Sequence, residues 1–417
     1  MASPFLGEAR GVRALANEPV DALRLGRVLL LGLLFGMFWM IALFGGERRR
    51  LGFGPWWLVI YAMIGMNSAL YSPLPMISLW KGFEVLVYAL AGVTIGWRTR
   101  DRRDVQDVLN VAYLGLWILL LSSLAGAVVD PVRAFPKFRA SGPMAYALQG
   151  IFPYINANTL SQVSGMLAGI SLCFALGRKG SARRVSYAIV FGVSFLCLVL
   201  SHSRTSLAAL LVSGMLLVLF GRRWVVMLWG MLAGVLILLS GIGGDLTSGF
   251  QQYVYRGESH EVFRSMSGRL EFWPRVIEKI AEAPLLGHGL YASQRVILGG
   301  VATVDNTYLE VLLGVGTVGL LFFLMAVASL SISLWGAQPL RTRRAHDWRL
   351  VWVQQAILFL FLIMRSVTGP SFQTLHVSLA VFVLLLVLAA RIRRMPQEEA
   401  VGEAGRQLGP KRRGITP

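Results

Sequence analysis

The chain has 417 residues, 55% of them apolar and 15% charged, with a formal net charge of +19. A soluble domain of ordinary composition is less apolar, and here the apolar residues gather in runs long enough to cross a bilayer. Lys and Arg flank those runs in short clusters instead of forming one basic surface, which excludes a nucleic-acid footprint and leaves the charge pattern of a polytopic membrane protein.

Residues 1–27 are mixed and charged, and the apolar run after them lacks a small-x-small cleavage site, so no cleavable signal is expected. Apolar runs follow at 28–44, 54–71, 76–97, 107–128, 155–177, 185–201, 203–220 and 224–242, then at 307–335, 350–367 and 374–390. The expected fold is an all-α polytopic membrane protein of about 11–12 transmembrane helices. A barrel would need short alternating segments instead. The chain divides into an N-terminal segment (1–27), a first part of the bundle (28–242), one large non-cytoplasmic loop containing helices (243–306), the last spans (307–390) and a tail (391–417). The tail is polar and rich in Glu, Gly and Arg, the composition of disorder.

The basic clusters at Arg48–Arg50, Arg98–Arg103, Arg178–Arg184, Arg222–Arg223, Arg341–Arg344 and Arg391–Arg394 alternate correctly for a common cytoplasmic face. The N-terminus then lies outside, against its own Arg10, Arg13, Arg24 and Arg27; a first run lying in the membrane plane would return it to the cytoplasm. Cys173 and Cys197 fall inside apolar runs and read as small buried hydrophobes.

Ionisable residues at span ends are the candidates for function. Lys81 and Glu84 lie early in the run 76–97, where they either line an outer cavity or pair with each other. The loop 129–154 carries Arg133, Lys137 and Arg139 against Asp130, a basic excess on the face where it is disfavoured; an anionic ligand such as a lipid diphosphate would explain it, as would headgroup contact. Arg204 sits in Ser201-His202-Ser203-Arg204-Thr205-Ser206 at an outer junction, placed to grip a phosphate or to snorkel. The large loop holds Arg256, Glu258, His260, Glu261, Arg264 and Arg269. From Arg269 to Ala283, Leu270, Trp273, Ile277 and Ile280 predict one apolar helix face, with Glu271 and Arg275 paired on the other. Pro284 and Gly287-His288-Gly289 end that helix.

Asp305 is placed to cap the helix beginning at Thr307, and equally to act as a general base at the outer mouth. Glu310, one turn on, is a second carboxylate for that role. Gly314, Gly316 and Gly319 permit close helix packing. Arg365 lies near the outer end of its run. The histidines have no metal-ligand spacing, so no cofactor is expected.

Three segments together resemble the O-antigen ligase and polymerase family of bacterial envelope glycan assembly. Ser201-His202-Ser203-Arg204-Thr205-Ser206-Leu207 is similar to its Ser-Arg-Thr signature. Ser267-Gly268-Arg269-Leu270-Glu271-Phe272-Trp273, then Pro284-Leu285-Leu286-Gly287-His288-Gly289, resembles its loop helix and Pro-Leu-x-Gly-x-Gly. Asp305-Asn306, nine residues, then Gly316-Thr317-Val318-Gly319 looks like His-Asn-x9-Gly-x-x-Gly. The resemblance implies a metal-independent, GT-C-like glycosyltransferase of the bacterial inner membrane with its active site facing the periplasm. It implies a glycan donor on undecaprenyl diphosphate and, as acceptor, a growing glycan or lipid A core, with a chain-length regulator as a further partner. Arg204 and Arg269 would hold the diphosphate, with Arg264, Arg139, Arg365 and Lys81 as further candidates; Asp305, or Glu310, would activate the acceptor.

The family's ligases carry His where this chain has Asp305, a weaker base unless burial raises it. That departure points toward repeat-unit polymerisation of O-antigen or exopolysaccharide, with ligation to lipid A core as the alternative. A transporter or flippase would need charges through the whole bundle, whereas these gather at the outer ends. A scaffold that uses the large loop to recruit partners is the non-enzymatic alternative.

Overall fold

The computed structural model describes residues 22–45, 51–137, 146–177, 181–220, 269–292, 304–336, 346–369, 371 and 377–407. The expected span 224–242, most of the large loop, Arg139 and Arg264 lie outside the described residues. The described helices are α1 (Ala22–Phe44), α2 (Gly54–Asn67), α3 (Pro75–Arg98), α4 (Arg102–Val129), the short α5 (Pro131–Ala134), α6 (Ala157–Gly177), α7 (Ser181–Leu200), α8 (Arg204–Phe220), α9 (Arg269–Glu282), α10 (Thr307–Gly336), α11 (His346–Val367) and α12 (Val377–Gln407). Among the described residues no strand forms, only two isolated bridges. Helices α3, α4, α6, α10 and α11 are long and apolar enough to cross a membrane. The protein is an all-α polytopic membrane protein.

Local chemistry sets the helix starts. Pro55 and Pro75 occupy first-turn positions in α2 and α3, where the missing N–H costs nothing. Asp101 caps α4: its Oδ1 accepts from the N–H groups of Arg103 at 2.7 Å and Asp104 at 3.0 Å, and Asp104 returns a carboxylate to the backbone of Arg100 and Asp101. Apolar side chains such as Leu33, Val111 and Ile118 on α1 and α4 are left uncovered by protein, as lipid-facing positions are.

The structure corrects three sequence expectations. Helix α1 starts at Ala22, giving 23 residues where the apolar run alone suggested a short span. Helix α12 runs on to Gln407, past the point where composition suggested disorder. In α9 the buried face is rotated from the expected one. Val276 is fully buried with Val304 and Leu313, flanked by Phe272, Ile280 and Leu309, while Leu270 and Ile277 stay exposed. Sequence periodicity shows that a face exists, but the partner decides which of two overlapping apolar rows is covered. Among the described residues no ion pair joins Glu271 to Arg275.

Helix α10 is broken at Gly316, whose φ is 66° and ψ −167°. The break would orphan four backbone groups at membrane depth, where water is absent. The segment Pro284–Gly289 supplies a partner for each. His288 N–H donates to Leu313 O at 2.9 Å and Gly289 N–H to Gly314 O at 2.8 Å. In return Thr317 N–H donates to Pro284 O at 2.8 Å and Val318 N–H to Leu285 O at 3.2 Å. The approach is backbone against backbone: a Cβ on Gly287 would lie 2.6 Å from the Gly314 carbonyl, and Gly287 itself has φ 69°. The same segment and the residue after it are anchored on the turn between α2 and α3, with Leu290 N–H on Ser68 Oγ at 2.9 Å and the Tyr71 hydroxyl on Leu286 O at 2.6 Å. The glycines first read as packing residues are thus a helix break interlocked with the loop, and the two Gly-containing motifs are two halves of one joint.

Candidate functional site

The start of α10, the start of α9 and the end of α11 meet at one end of the bundle. Arg269, first residue of α9, donates Nε to Asp305 Oδ2 at 3.1 Å and Nη1 to Thr368 O at 2.7 Å. Both side chains are partly open, at 20% and 27% exposure, so the pair stands at a surface and not in the core. Trp273, one turn along α9, donates Nε1 to Val304 O at 3.2 Å and pins the helix against the residue before Asp305.

Asp305 does not cap α10. Asn306 does: its Oδ1 accepts from Tyr308 N–H at 2.9 Å and Leu309 N–H at 3.1 Å. Asp305 instead holds a left-handed backbone, φ 52°, which turns its carboxylate toward Arg269. Such a conformation costs a non-glycine residue about 1–3 kcal/mol and persists where surrounding bonds enforce it. Those bonds are present. Asn306 Nδ2 donates to Val367 O at 3.0 Å, Thr307 Oγ1 donates to Gly369 O at 3.1 Å, and Ser371 N–H donates to Thr307 Oγ1 at 3.1 Å. Asn306→Ala is expected to cost about 1 kcal/mol through the cap, plus the tie to α11. Thermal unfolding of the detergent-purified protein checks this, with Asn306→Asp, which keeps the cap and loses the tie, falling between the two.

Arg365 links this cluster to the Ser-Arg-Thr turn. It is 1% exposed, donates Nε to Ser206 Oγ at 3.2 Å, and lies within electrostatic range of Arg269 and Asp305. Its Nη1 has no hydrogen-bond partner and packs over Gly369, where a Cβ would collide with it. Ser206 also bonds Ser161 at 2.9 Å and Ser203 at 3.2 Å, so the start of α8, which carries Arg204, is stitched to α6 and α11 by hydroxyls. A His202 φ of 52° makes the tight turn into that helix.

Glu310 lies one turn into α10, buried, with neither carboxylate oxygen hydrogen-bonded. Tyr61 and Asp305 are its electrostatic neighbours. Lys81 is engaged elsewhere: it pairs with the buried Glu84 at 2.9 Å and stands 4.9 Å over the Tyr291 ring. The sequence reading therefore converges on Arg269, Asp305 and Arg365, with Arg204 at the start of the adjoining helix, while Lys81 belongs to the anchoring of residues 286–291. What it missed are the bonds that position them, from Ser206, Asn306, Thr307 and the carbonyls of Val367, Thr368 and Gly369. Asn306-Thr307 before an apolar run is a capping signal, but the carbonyls have no sequence signature.

Among the described residues no group of His, Cys, Asp and Glu forms a cluster able to hold a metal. The cluster is cationic and hydroxyl-rich around one carboxylate at the surface and one beneath it. Cations and hydroxyls beside a carboxylate are the groups that can bind an oxyanion and accept a proton from a hydroxyl.

Residues 189–324 match the family described as O-Antigen ligase. That stretch contains Arg204, Arg269, Asp305 and Glu310; Arg365 lies beyond it. The family read from the three motifs is the one the match gives. No curated protein sequence matches the chain.

Proposed function

From the O-antigen ligase family as premise, we propose that this glycosyltransferase-type membrane protein moves a glycan from a lipid diphosphate, undecaprenyl diphosphate in a bacterial inner membrane, to a sugar hydroxyl on the periplasmic side. The observation that carries the reading is Arg269 bridging Asp305 and Thr368, with the buried Arg365 tied to the Ser206 turn behind it. The donor's diphosphate competes with Asp305 for Arg269, so donor binding frees the carboxylate when it is needed. Asp305 takes the acceptor hydroxyl proton, the hydroxyl oxygen attacks the anomeric carbon, and the carbon–oxygen bond to the diphosphate breaks. The diphosphate leaves with the electron pair, its charge offset by the arginines.

Asp305 is the base in this reading because its side chain is partly open, whereas Glu310 is covered. Asp305→Asn is expected to lower transfer by about 10²–10⁴-fold, and Glu310→Gln to retain most of it. A collapse confined to Glu310→Gln would move the base one turn down the helix.

Repeat-unit polymerisation is the favoured outcome, since Asp replaces the ligase His; ligation to lipid A core is the second reading. Purified protein supplied with lipid-diphosphate-linked oligosaccharide, with and without lipid A core, separates them. A ladder without core indicates a polymerase, and transfer only to core indicates a ligase. If neither a ladder nor a core-linked product forms, the proposal is overturned.

A further inference from the structure

At the far end of α10, roughly 40 Å of helix from Asp305, Gly52, Ser333, Ala390, Arg393 and Arg394 line a cavity of about 240 Å³. On the same measure one water occupies about 10–15 Å³, so the cavity has room for an anion and its substituent. Among the described residues, neither Arg393 nor Arg394 has a hydrogen bond or ion pair. Arg393 is exposed and Arg394 partly buried, and an anion held between two guanidiniums that line one cavity offsets their mutual repulsion.

Glycines make the space and fix one of the arginines. Arg393 packs across Gly336, where a Cβ would lie 2.9 Å from its Nε, and Gly52 leaves the side facing Arg394 open. Its neighbour Arg391 is fully buried and donates Nε to Thr99 O at 3.1 Å, which holds this turn of α12 against α3 and α4. The arginines are thus carried on a fixed scaffold and not on a loose helix end.

The level of the cavity along the bundle indicates its occupant. Arg393 lies sixteen positions after Val377, the start of α12, about 24 Å of helix and so most of the way across the roughly 30 Å hydrocarbon of a bilayer. Exposed aromatic residues gather at the same level: Phe53 beside Gly52, Trp335 two residues after Ser333, and Trp56 against Trp97 with ring centroids 6.2 Å apart. Trp side chains at a common depth mark the headgroup layer.

We propose that this cavity is a binding site for the phosphate of an anionic phospholipid headgroup, gripped by Arg393 and Arg394, on the opposite side of the membrane from the candidate active site. Guanidinium forks suit phosphate oxygens, and basic pockets between spans are suited to anionic headgroups. The proposal does not rest on the transferase reading.

Native mass spectrometry of the detergent-purified full chain tests it, with phosphatidylglycerol, phosphatidylcholine and inorganic phosphate as probes. The unaltered chain should retain phosphatidylglycerol over phosphatidylcholine, and Arg393→Ala/Arg394→Ala should reduce that retention by at least about tenfold. Ser333→Glu, which places a carboxylate in the cavity and keeps both arginines, should reduce it likewise, while Arg393→Lys/Arg394→Lys should keep part of it. Displacement of the lipid by inorganic phosphate would support the phosphate as the group gripped. Binding of phosphate without phosphatidylglycerol would overturn the lipid as occupant and leave a free-phosphate site. Equal phosphatidylglycerol retention by the unaltered chain, the double alanine variant and Ser333→Glu would overturn the site itself.

Discussion

Arg269→Ala is expected to lower glycan transfer by about 10²–10³-fold or more at matched membrane levels, the loss seen when one preorganised donor to a developing anion is removed. Two roles end together in this variant. The diphosphate loses a cation, and Asp305 loses the partner that holds it in place at 3.1 Å until the donor arrives. Lysine is a poor replacement. Arg269 uses Nε for Asp305 and Nη1 for Thr368 O at once, a planar fork that a single ammonium does not reproduce. Arg269→Lys is therefore expected to recover little of the activity while restoring the charge. The measurement is product formation from lipid-diphosphate-linked oligosaccharide with purified variants. Near-normal turnover in Arg269→Ala would remove this arginine from the site and leave Arg204 and Arg365 to hold the leaving group.

The second large effect is structural. Gly316→Ala forces a side chain into a φ of 66° and drives its Cβ into the Leu285 carbonyl. The left-handed conformation alone costs about 1–3 kcal/mol. Pushing Leu285 away also breaks its bond with Val318 N–H, and an orphaned buried backbone group costs about 1–3 kcal/mol more. The joint between α10 and Pro284–Gly289 should open, and with it the seat of α9 and Arg269. Detergent-purified Gly316→Ala is expected to lose most of its monodisperse, thermally stable fraction. Gly115→Ala is the control, because a Cβ there meets nothing within 4 Å; helix propensity favours alanine over glycine, so this variant should be unchanged or slightly more stable. Equal thermal stability of Gly316→Ala and the unaltered chain would contradict the interlocked break.

The two predictions separate chemistry from architecture. Arg269→Ala should leave a folded, inactive protein, whereas Gly316→Ala should leave little folded protein to assay. Gly316 is nevertheless part of the same device, because the segment that repairs the break directly follows the helix that begins with Arg269.

The helices and the site were unequally legible. Apolar runs gave the described spans with ends shifted by a few residues, apart from the polar extension of α12 to Gln407, because crossing a bilayer needs a minimum length of apolar side chains and little else. Arg204, Arg269, Asp305 and Arg365 stood out because charge near membrane depth is costly and seldom idle. Their relation to one another was not legible. Asp305 and Asn306 are adjacent polar residues before the same helix, and either side chain suits a cap. Only the backbone turn at φ 52° gives the cap to Asn306 and the carboxylate to Arg269. In the same way Leu270 and Ile277 share the spacing of Trp273 and Ile280, yet α10 covers the row through Val276.

By itself, the sequence determined the membrane class of this protein, the order of most spans and the residue types that carry charge to one end, since these follow from local composition. The tertiary structure alone decided that Gly314–Gly316 is a break and not a packing stripe, that carbonyls of residues 367–369 hold Asn306, Thr307 and Arg269, and that Lys81 answers to Glu84. The physical reason is that backbone groups carry no sequence label. Each must find a partner inside an apolar bundle, and which partner it finds depends on where the rest of the chain has come to lie.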